Sequence, residues 1–248
     1  MRSLLGIWRL LRLSAHVLHG LAMIKLRFPQ LAPAGRHQRI RWWSRKTLAI
    51  LGVALQEEGG AVEAGPRLLI ANHVSWLDIA AVHALMPQAR FVSKADVRQW
   101  PLVGALVEGV GTLFIERSSK RDALRVVHQA AEALKAGDTV AFFPEGTTGP
   151  GPELLPFHGN LLQSAIATGT PVQPLLLRWH QPGHRFSPAA RFVGDTSLAQ
   201  SLWAIVRARE LAVQLKTLPL VAVTPDSERR VLAETLRARL AEALAGED

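Results

Sequence analysis

The sequence predicts an α/β fold, a mostly parallel sheet flanked by helices, with an N-terminal amphipathic helical hairpin in front of it. Three observations predict this. Short apolar runs at 68–71, 91–93, 112–115, 140–143 and 171–177 alternate with helical stretches at 77–85 and 120–135. Strands buried on both faces read as such runs, and helices between them make the crossovers of a parallel sheet. The 248 residues are 48% hydrophobic, enough to bury the core of one large domain. Finally, residues 1–56 carry ten Lys and Arg and no acid, while the rest of the chain holds 19 basic and 20 acidic residues. The whole net charge of +9 therefore sits on the N-terminal segment. The expected division is a basic helical segment at 1–57 and an α/β domain at 58–248.

Taken in order, residues 4–24 are mainly apolar and predict the first helix. Its polar residues Arg2, Arg9, Arg12, His16 and His19 recur at helical spacing and form one stripe. A helix of this kind is expected to lie in a membrane interface with its cations toward lipid headgroups. The longest stretch without Lys or Arg, 13–24, is too short to span a bilayer, which needs roughly 20 apolar residues. Residues 28–35, with Pro29, Pro33 and Gly35, read as a turn. A second helix is expected over 36–55, where Trp42 and Trp43 sit beside Arg41, Arg45 and Lys46 as headgroup-level anchors do. The expected partner is an anionic membrane surface, met from the cytoplasmic face without spanning. Nucleic acid is not expected, because no recognition motif accompanies the charge. An ordinary hairpin with solvated arginines is the plainer alternative.

Residues 57–66 read as a Gly-rich linker, and the strands and helices above follow it. Beyond them, 198–207 reads as a helix, 210–218 as a strand and 227–243 as a closing amphipathic helix with Ser227 as its N-cap. The chain has no cysteine, which excludes disulfides, thiolate metal sites and cysteine nucleophiles.

The chemistry gathers at strand ends, where parallel α/β sheets form their sites. His73 follows the run 68–71 and has Asp78 five residues later, in the stretch Asn72-His73-Val74-Ser75-Trp76-Leu77-Asp78. Ser75 and Asp78 read as a capping box opening the helix. A carboxylate in that first turn can hold one imidazole nitrogen and leave the other as a base. The alternative at this point is that Asp78 only caps the helix and His73 is a satisfied loop residue. Arg117 and Glu145 end the runs 112–115 and 140–143 on the same edge, and Gly146 permits close approach of backbone to ligand. Arg117 could bind a phosphate or carboxylate as a planar fork. No Gly-x-Ser-x-Gly elbow is present, which argues against a serine esterase. His180 and His184 are separated by Pro182 and Gly183, so a helical metal pair is not expected, and neither a metal nor a cofactor is predicted.

Four blocks in order now carry a resemblance: Asn-His-x-x-x-x-Asp at 72–78, Gly-x-x-Phe-Ile-x-Arg at 111–117, Pro-Glu-Gly-Thr at 144–147 and Val-x-Pro at 172–174. Together they resemble the glycerolipid acyltransferases typified by 1-acylglycerol-3-phosphate acyltransferase. The resemblance implies acyl transfer from acyl-CoA or acyl carrier protein to a lysolipid hydroxyl, with His73 as general base and Asp78 as its orienter. It implies Arg117, Glu145, Gly146 and Thr147 around the acceptor, Pro174 on the acyl-chain side and Lys94 as a further candidate for the headgroup. Two positions depart from the pattern. Glu116 stands where Asp is frequent, and Thr148 stands where many members have Arg, removing a cation that would face phosphate. The stretch 143–149 with Leu155-Pro156-Phe157 also resembles the lyso-ornithine lipid acyltransferases of the same family.

Overall fold

In a computed structural model describing residues 2–60, 65–115 and 120–246, seven strands form one sheet. The strands are β1 (Val53–Glu58), β2 (Arg67–Ala71), β3 (Ala89–Lys94), β4 (Leu113–Ile115), β5 (Thr139–Phe142), β6 (Val172–His180) and β7 (Leu211–Thr217). Their order across the sheet is β1-β7-β6-β2-β5-β3-β4. All neighbours are parallel except β6 and β7, which run antiparallel and turn the β7–β1 pair against the rest.

Eight α-helices frame it among the described residues: α1 (Arg2–Leu26), α2 (Pro33–Leu51), α3 (Asp78–Leu85), α4 (Val103–Gly109), α5 (Lys120–Lys135), α6 (Leu162–Thr168), α7 (Leu198–Arg207) and α8 (Arg229–Ala245). The strands alternate cleanly between two cores, as their period of two demands. Leu69, Ala71, Leu175, Leu177 and Trp179 face one side with α2, α3 and α7. Leu68, Ile70, Val140, Phe142 and Leu176 face the other with α5, α6 and α8. In α5 the stripe Val126, Ala130 and Leu134 supplies the buried face at i, i+4 and i+8.

The predicted strands and helices of the α/β region are all present, with ends shifted by a few residues. Four expectations are corrected. First, α2 stops at Leu51, because Gly52 takes a left-handed conformation (φ 78°) and caps it. Residues 53–58 then form β1, in register with β7 from Val53↔Leu211 to Glu58↔Lys216. The expected boundary at 57 therefore falls inside a strand of the main sheet.

Second, α1 is turned about its axis relative to the expectation. Its polar stripe faces partly into the protein. Arg9 Nη1 donates to Val206 O on α7 (2.8 Å), and His16 is buried with Nε2 on Trp43 O (3.0 Å) and its ring stacked on Trp43. These groups find backbone carbonyls inside, so they need no headgroups. Leu4, Ile7, Trp8, Leu11 and Leu18 are left exposed on the opposite face.

Third, α8 begins at Arg229 after Glu228, and Ser227 Oγ instead accepts from Thr224 N. Fourth, the capping box at α3 is only half formed. Asp78 accepts from Ser75 N, but Asp78 N donates to Ser75 O rather than to its hydroxyl. Among the described residues no helix is long and apolar enough to cross a membrane.

Candidate active site

Strand β2 ends at Ala71, and the loop after it is pinned before it reaches His73. The buried amide of Asn72 clasps β6 in both directions, Nδ2 to Leu177 O (2.8 Å) and Leu177 N to Oδ1 (2.7 Å). His73 N donates to Glu145 Oε1 (2.8 Å), and His73 O accepts from Gly149 N (2.6 Å). The loop therefore has little freedom on either side of the imidazole.

The ring itself is held on an edge and a face. Its Nδ1 lies 2.9 Å from Asp78 Oδ2, and the ring stacks on Phe143 at 3.9 Å between centroids, with an interplanar angle of 6°. Asp78 is 0% exposed and receives only donors: Val74 N (2.7 Å) and Ser75 N (2.9 Å) on Oδ2, and Trp179 Nε1 (2.6 Å) on Oδ1. An acceptor-only carboxylate fixes the proton of His73 on Nδ1 and leaves Nε2 with a lone pair. Nε2 has no hydrogen-bond partner among the described residues, and 18% of the side chain remains exposed. That is the geometry of a base open to an incoming hydroxyl.

Glu145 lies beside this pair but does not face open solvent. It is buried, with Oε1 on His73 N and Oε2 on Leu155 N (2.9 Å). Burial raises its carboxyl above the ordinary range, and those two backbone bonds oppose the rise. Its side chain thus ties the loop after β5 to the loop after β2. Gly146 takes φ 70° and its amide returns to Phe143 O (3.0 Å), so the chain turns there as a residue with a Cβ would not readily do. Thr147 is exposed at the tip, and Thr148 Oγ1 donates to Phe192 O.

Of the other predicted residues, Lys94 is exposed at the carboxyl end of β3, on the same sheet edge as His73. Pro174 is buried within β6, in register with Ile70, and its carbonyl accepts from Leu218 N (3.1 Å). It is a sheet residue set back from the loop edge. Arg117 and Glu116 lie outside the described residues. Among those residues there is no cluster of three or more His, Asp or Glu able to hold a metal ion.

Trp179 and Phe143 were not anticipated as site residues. Each had a signal. Trp179 continues the alternation Leu175, Leu177 beyond the expected strand end, and Phe143 is an aromatic residue directly before the Pro-Glu-Gly-Thr turn.

Fold and site together define a class: an α/β enzyme whose histidine is braced by a buried carboxylate at the carboxyl edge of a parallel sheet. The chain belongs to the acyltransferase family, whose family model, described as Acyltransferase, matches residues 53–178. A lyso-ornithine lipid O-acyltransferase of Pseudomonas aeruginosa is 39% identical over 88% of this chain and 84% of its own length. A 1-acyl-sn-glycerol-3-phosphate acyltransferase of Neisseria meningitidis serogroup B is 36% identical over 85% of this chain and 84% of its own length. The crystal structure of the 1-acyl-sn-glycerophosphate acyltransferase PlsC from Thermotoga maritima superposes over the whole of both chains with a TM-score of 0.71. At 21% identity that likeness speaks for the fold.

Proposed function

We propose that the protein moves a fatty acyl group from a thioester, acyl-CoA or acyl carrier protein, to the hydroxyl of a lysolipid at a membrane surface. One observation carries the reading: His73 Nδ1 is held by the buried Asp78 carboxylate while Nε2 has no hydrogen-bond partner among the described residues. Nε2 takes the proton of the acceptor hydroxyl as its oxygen attacks the thioester carbonyl. A tetrahedral intermediate forms and collapses, the C–S bond breaks, and the imidazolium returns the proton to the leaving thiolate. Asp78 stabilises the imidazolium between the two transfers, as the carboxylate does in a hydrolase triad, here without an enzyme nucleophile.

The outer face of α1 supports work at a bilayer. Leu4, Trp8, Leu11 and Leu18 are 72, 56, 61 and 58% exposed and share one side of the helix, with Leu26 and Trp42 also exposed. Burying such side chains in an acyl-chain boundary yields about 1.5–3 kcal/mol for each one fully buried. The N-terminal cations add an attraction to anionic lipid, and the anionic leaflet is the cytoplasmic one. Peripheral, non-spanning attachment to that face follows.

The proposed acceptor is 1-acylglycerol-3-phosphate, giving phosphatidic acid. Lys94 on the open edge, and Arg117 two residues after β4 in the chain, supply cations suited to its phosphate. Lyso-ornithine lipid is the second reading. Thr148 favours it, because a hydroxyl already bonded to Phe192 O stands where a phosphate-facing cation is common. The Pseudomonas aeruginosa relative also bears that name. The test is to incubate purified protein with a panel of lysolipids and both thioester donors, and to identify products by mass spectrometry. Phosphatidic acid as main product supports the first reading and acylated ornithine lipid the second. Free fatty acid alone would contradict both.

A further inference from the structure

Among the described residues four hydrogen bonds reach Asp78, and they are divided unequally. Oδ2 takes three, from His73 Nδ1, Val74 N and Ser75 N, all within five residues of Asp78 in the chain. Oδ1 takes one, the indole N–H of Trp179 at 2.6 Å, from a residue 101 positions away on β6. Both partners are buried, Asp78 at 0% and Trp179 at 1% exposure, so water does not compete for this oxygen. The indole N–H can only donate. Two residues earlier on the same strand Leu177 is clasped by Asn72, which locks the register of β6 to the His73 loop. Trp179 is thus delivered to Asp78 by the same strand pairing that delivers His73.

We infer that Trp179 is a positioning residue for acyl transfer, whose indole N–H sets the rotation and the charge distribution of the Asp78 carboxylate behind His73. The inference rests on the reading of His73 as the base. With the N–H in place, Oδ1 cannot swing toward the imidazole, and part of the negative charge is drawn to the far side. Without it, charge gathers on the oxygen that faces Nδ1. The carboxylate is then free to rotate, the imidazole is less firmly oriented and the charge behind it is redistributed, so turnover falls and its pH profile moves. The other ionisable group against this loop among the described residues is Glu145. It reaches the loop from the carboxyl end of β5, bonded to His73 N and Leu155 N, and a change at Trp179 leaves both bonds intact.

The test compares wild type, Trp179→Phe and His73→Ala by steady-state kinetics across pH, with a lysolipid acceptor and an acyl thioester in vesicles. Phenylalanine keeps an aromatic ring and removes the N–H. The expected result for Trp179→Phe is a fall in kcat of about tenfold, as when a partner behind a functional imidazole is lost. The acceptor KM should stay within about twofold, and the acidic limb of kcat/KM should move by about half to one pH unit. A merely structural tryptophan would lower the amount of folded enzyme and leave that limb where it is. A folded Trp179→Phe enzyme with an unmoved limb overturns the inference, whatever its kcat. A second measurement needs no variant at this position. In wild type labelled with ¹⁵N-tryptophan, one indole N–H should resonate far downfield, resist solvent exchange and titrate with the midpoint of the acidic limb. Absence of such a resonance also overturns it. His73→Ala separates the two failures: if that variant keeps its turnover, the base assignment falls. If it is inactive while the Trp179→Phe limb is unmoved, only the role of Trp179 falls.

Discussion

Asp78→Asn is the substitution whose consequences the structure defines most fully. The carboxylate serves four donors with two oxygens, three on Oδ2 and one on Oδ1. An asparagine has one acceptor oxygen and an NH₂. Its best orientation keeps the oxygen toward His73, Val74 and Ser75 and turns the NH₂ on the Trp179 indole, donor against donor. One buried N–H then loses its partner, at a cost of about 1–3 kcal/mol, and the three remaining bonds lose charge assistance, about 1 kcal/mol each. Relief from burying a carboxylate returns part of this, leaving a net loss of about 3 kcal/mol. For a domain of this size that corresponds to a fall in Tm of roughly 6–12 °C. The effect on chemistry is larger, because the imidazolium formed during transfer loses its counter-charge, and kcat should fall by about 10³–10⁴-fold. The assay is thermal unfolding of the variant beside initial rates of lysolipid acylation at saturating thioester. A kcat within threefold of wild type, with an unchanged Tm, would refute the reasoning and reduce Asp78 to a residue of the helix start.

Three further outcomes follow from other parts of the molecule. In Gly149→Ala the new Cβ would lie 3.0 Å from Glu145 Oε2 and 3.4 Å from Leu155 Cγ, on the segment that also bonds His73 O. Loss of about 1–2 kcal/mol of stability is expected by chemical denaturation, with a several-fold lower kcat. His83 is buried with Nε2 on Ala89 O, and burial lowers its pKa from 6.5 to about 4, so the unfolded chain binds its proton first as pH falls. Stability from this residue is therefore complete above about pH 6.5 and is lost as pH falls toward 4, by up to about 3 kcal/mol. Urea denaturation at pH 7 and pH 5 should show the drop, and His83→Gln should flatten it. Leu11→Glu with Leu18→Glu alters exposed side chains of α1, so Tm should hold within about 2 °C while vesicle co-sedimentation falls several-fold. Equal sedimentation of variant and wild type would show that α1 is not the membrane contact. Removing residues 1–56 is a poorer experiment, because it deletes most of β1 and takes Leu48 and Leu51 out of the core.

Much of this architecture is legible in the sequence for a plain reason: strands buried on both faces must be apolar and short, and those of the α/β region are. β1 is the instructive exception. Val53-Ala-Leu-Gln-Glu-Glu is parted from the helix by Gly52 alone, and Ala, Leu, Gln and Glu are good helix formers. It is a strand because it pairs along its length with β7, more than 150 residues away, and a single sequence does not announce such a partner. The orientation of α1 has the same cause. Arg9 and His16 look like headgroup ligands until the carbonyls of Val206 and Trp43 are seen beneath them. In the site, His73 and Asp78 are readable because five residues of loop bring them together, whereas the Trp179 bond to Asp78 depends on the order of strands. Glu145 was legible as a carboxylate at a strand end, but its direction was not. Only the folded loops show both of its oxygens taken by backbone amides.

The central claim is that His73 is the base of an acyl transfer. The most direct measurement supplies purified wild type and His73→Ala with 1-acylglycerol-3-phosphate and an acyl thioester, and follows thiol release and diacyl product together. Wild type should release thiol and form phosphatidic acid in equal amounts. His73→Ala should melt near the wild-type temperature and lose roughly 10²–10⁴-fold in both signals. A folded His73→Ala protein that still forms product at close to the wild-type rate would contradict the account.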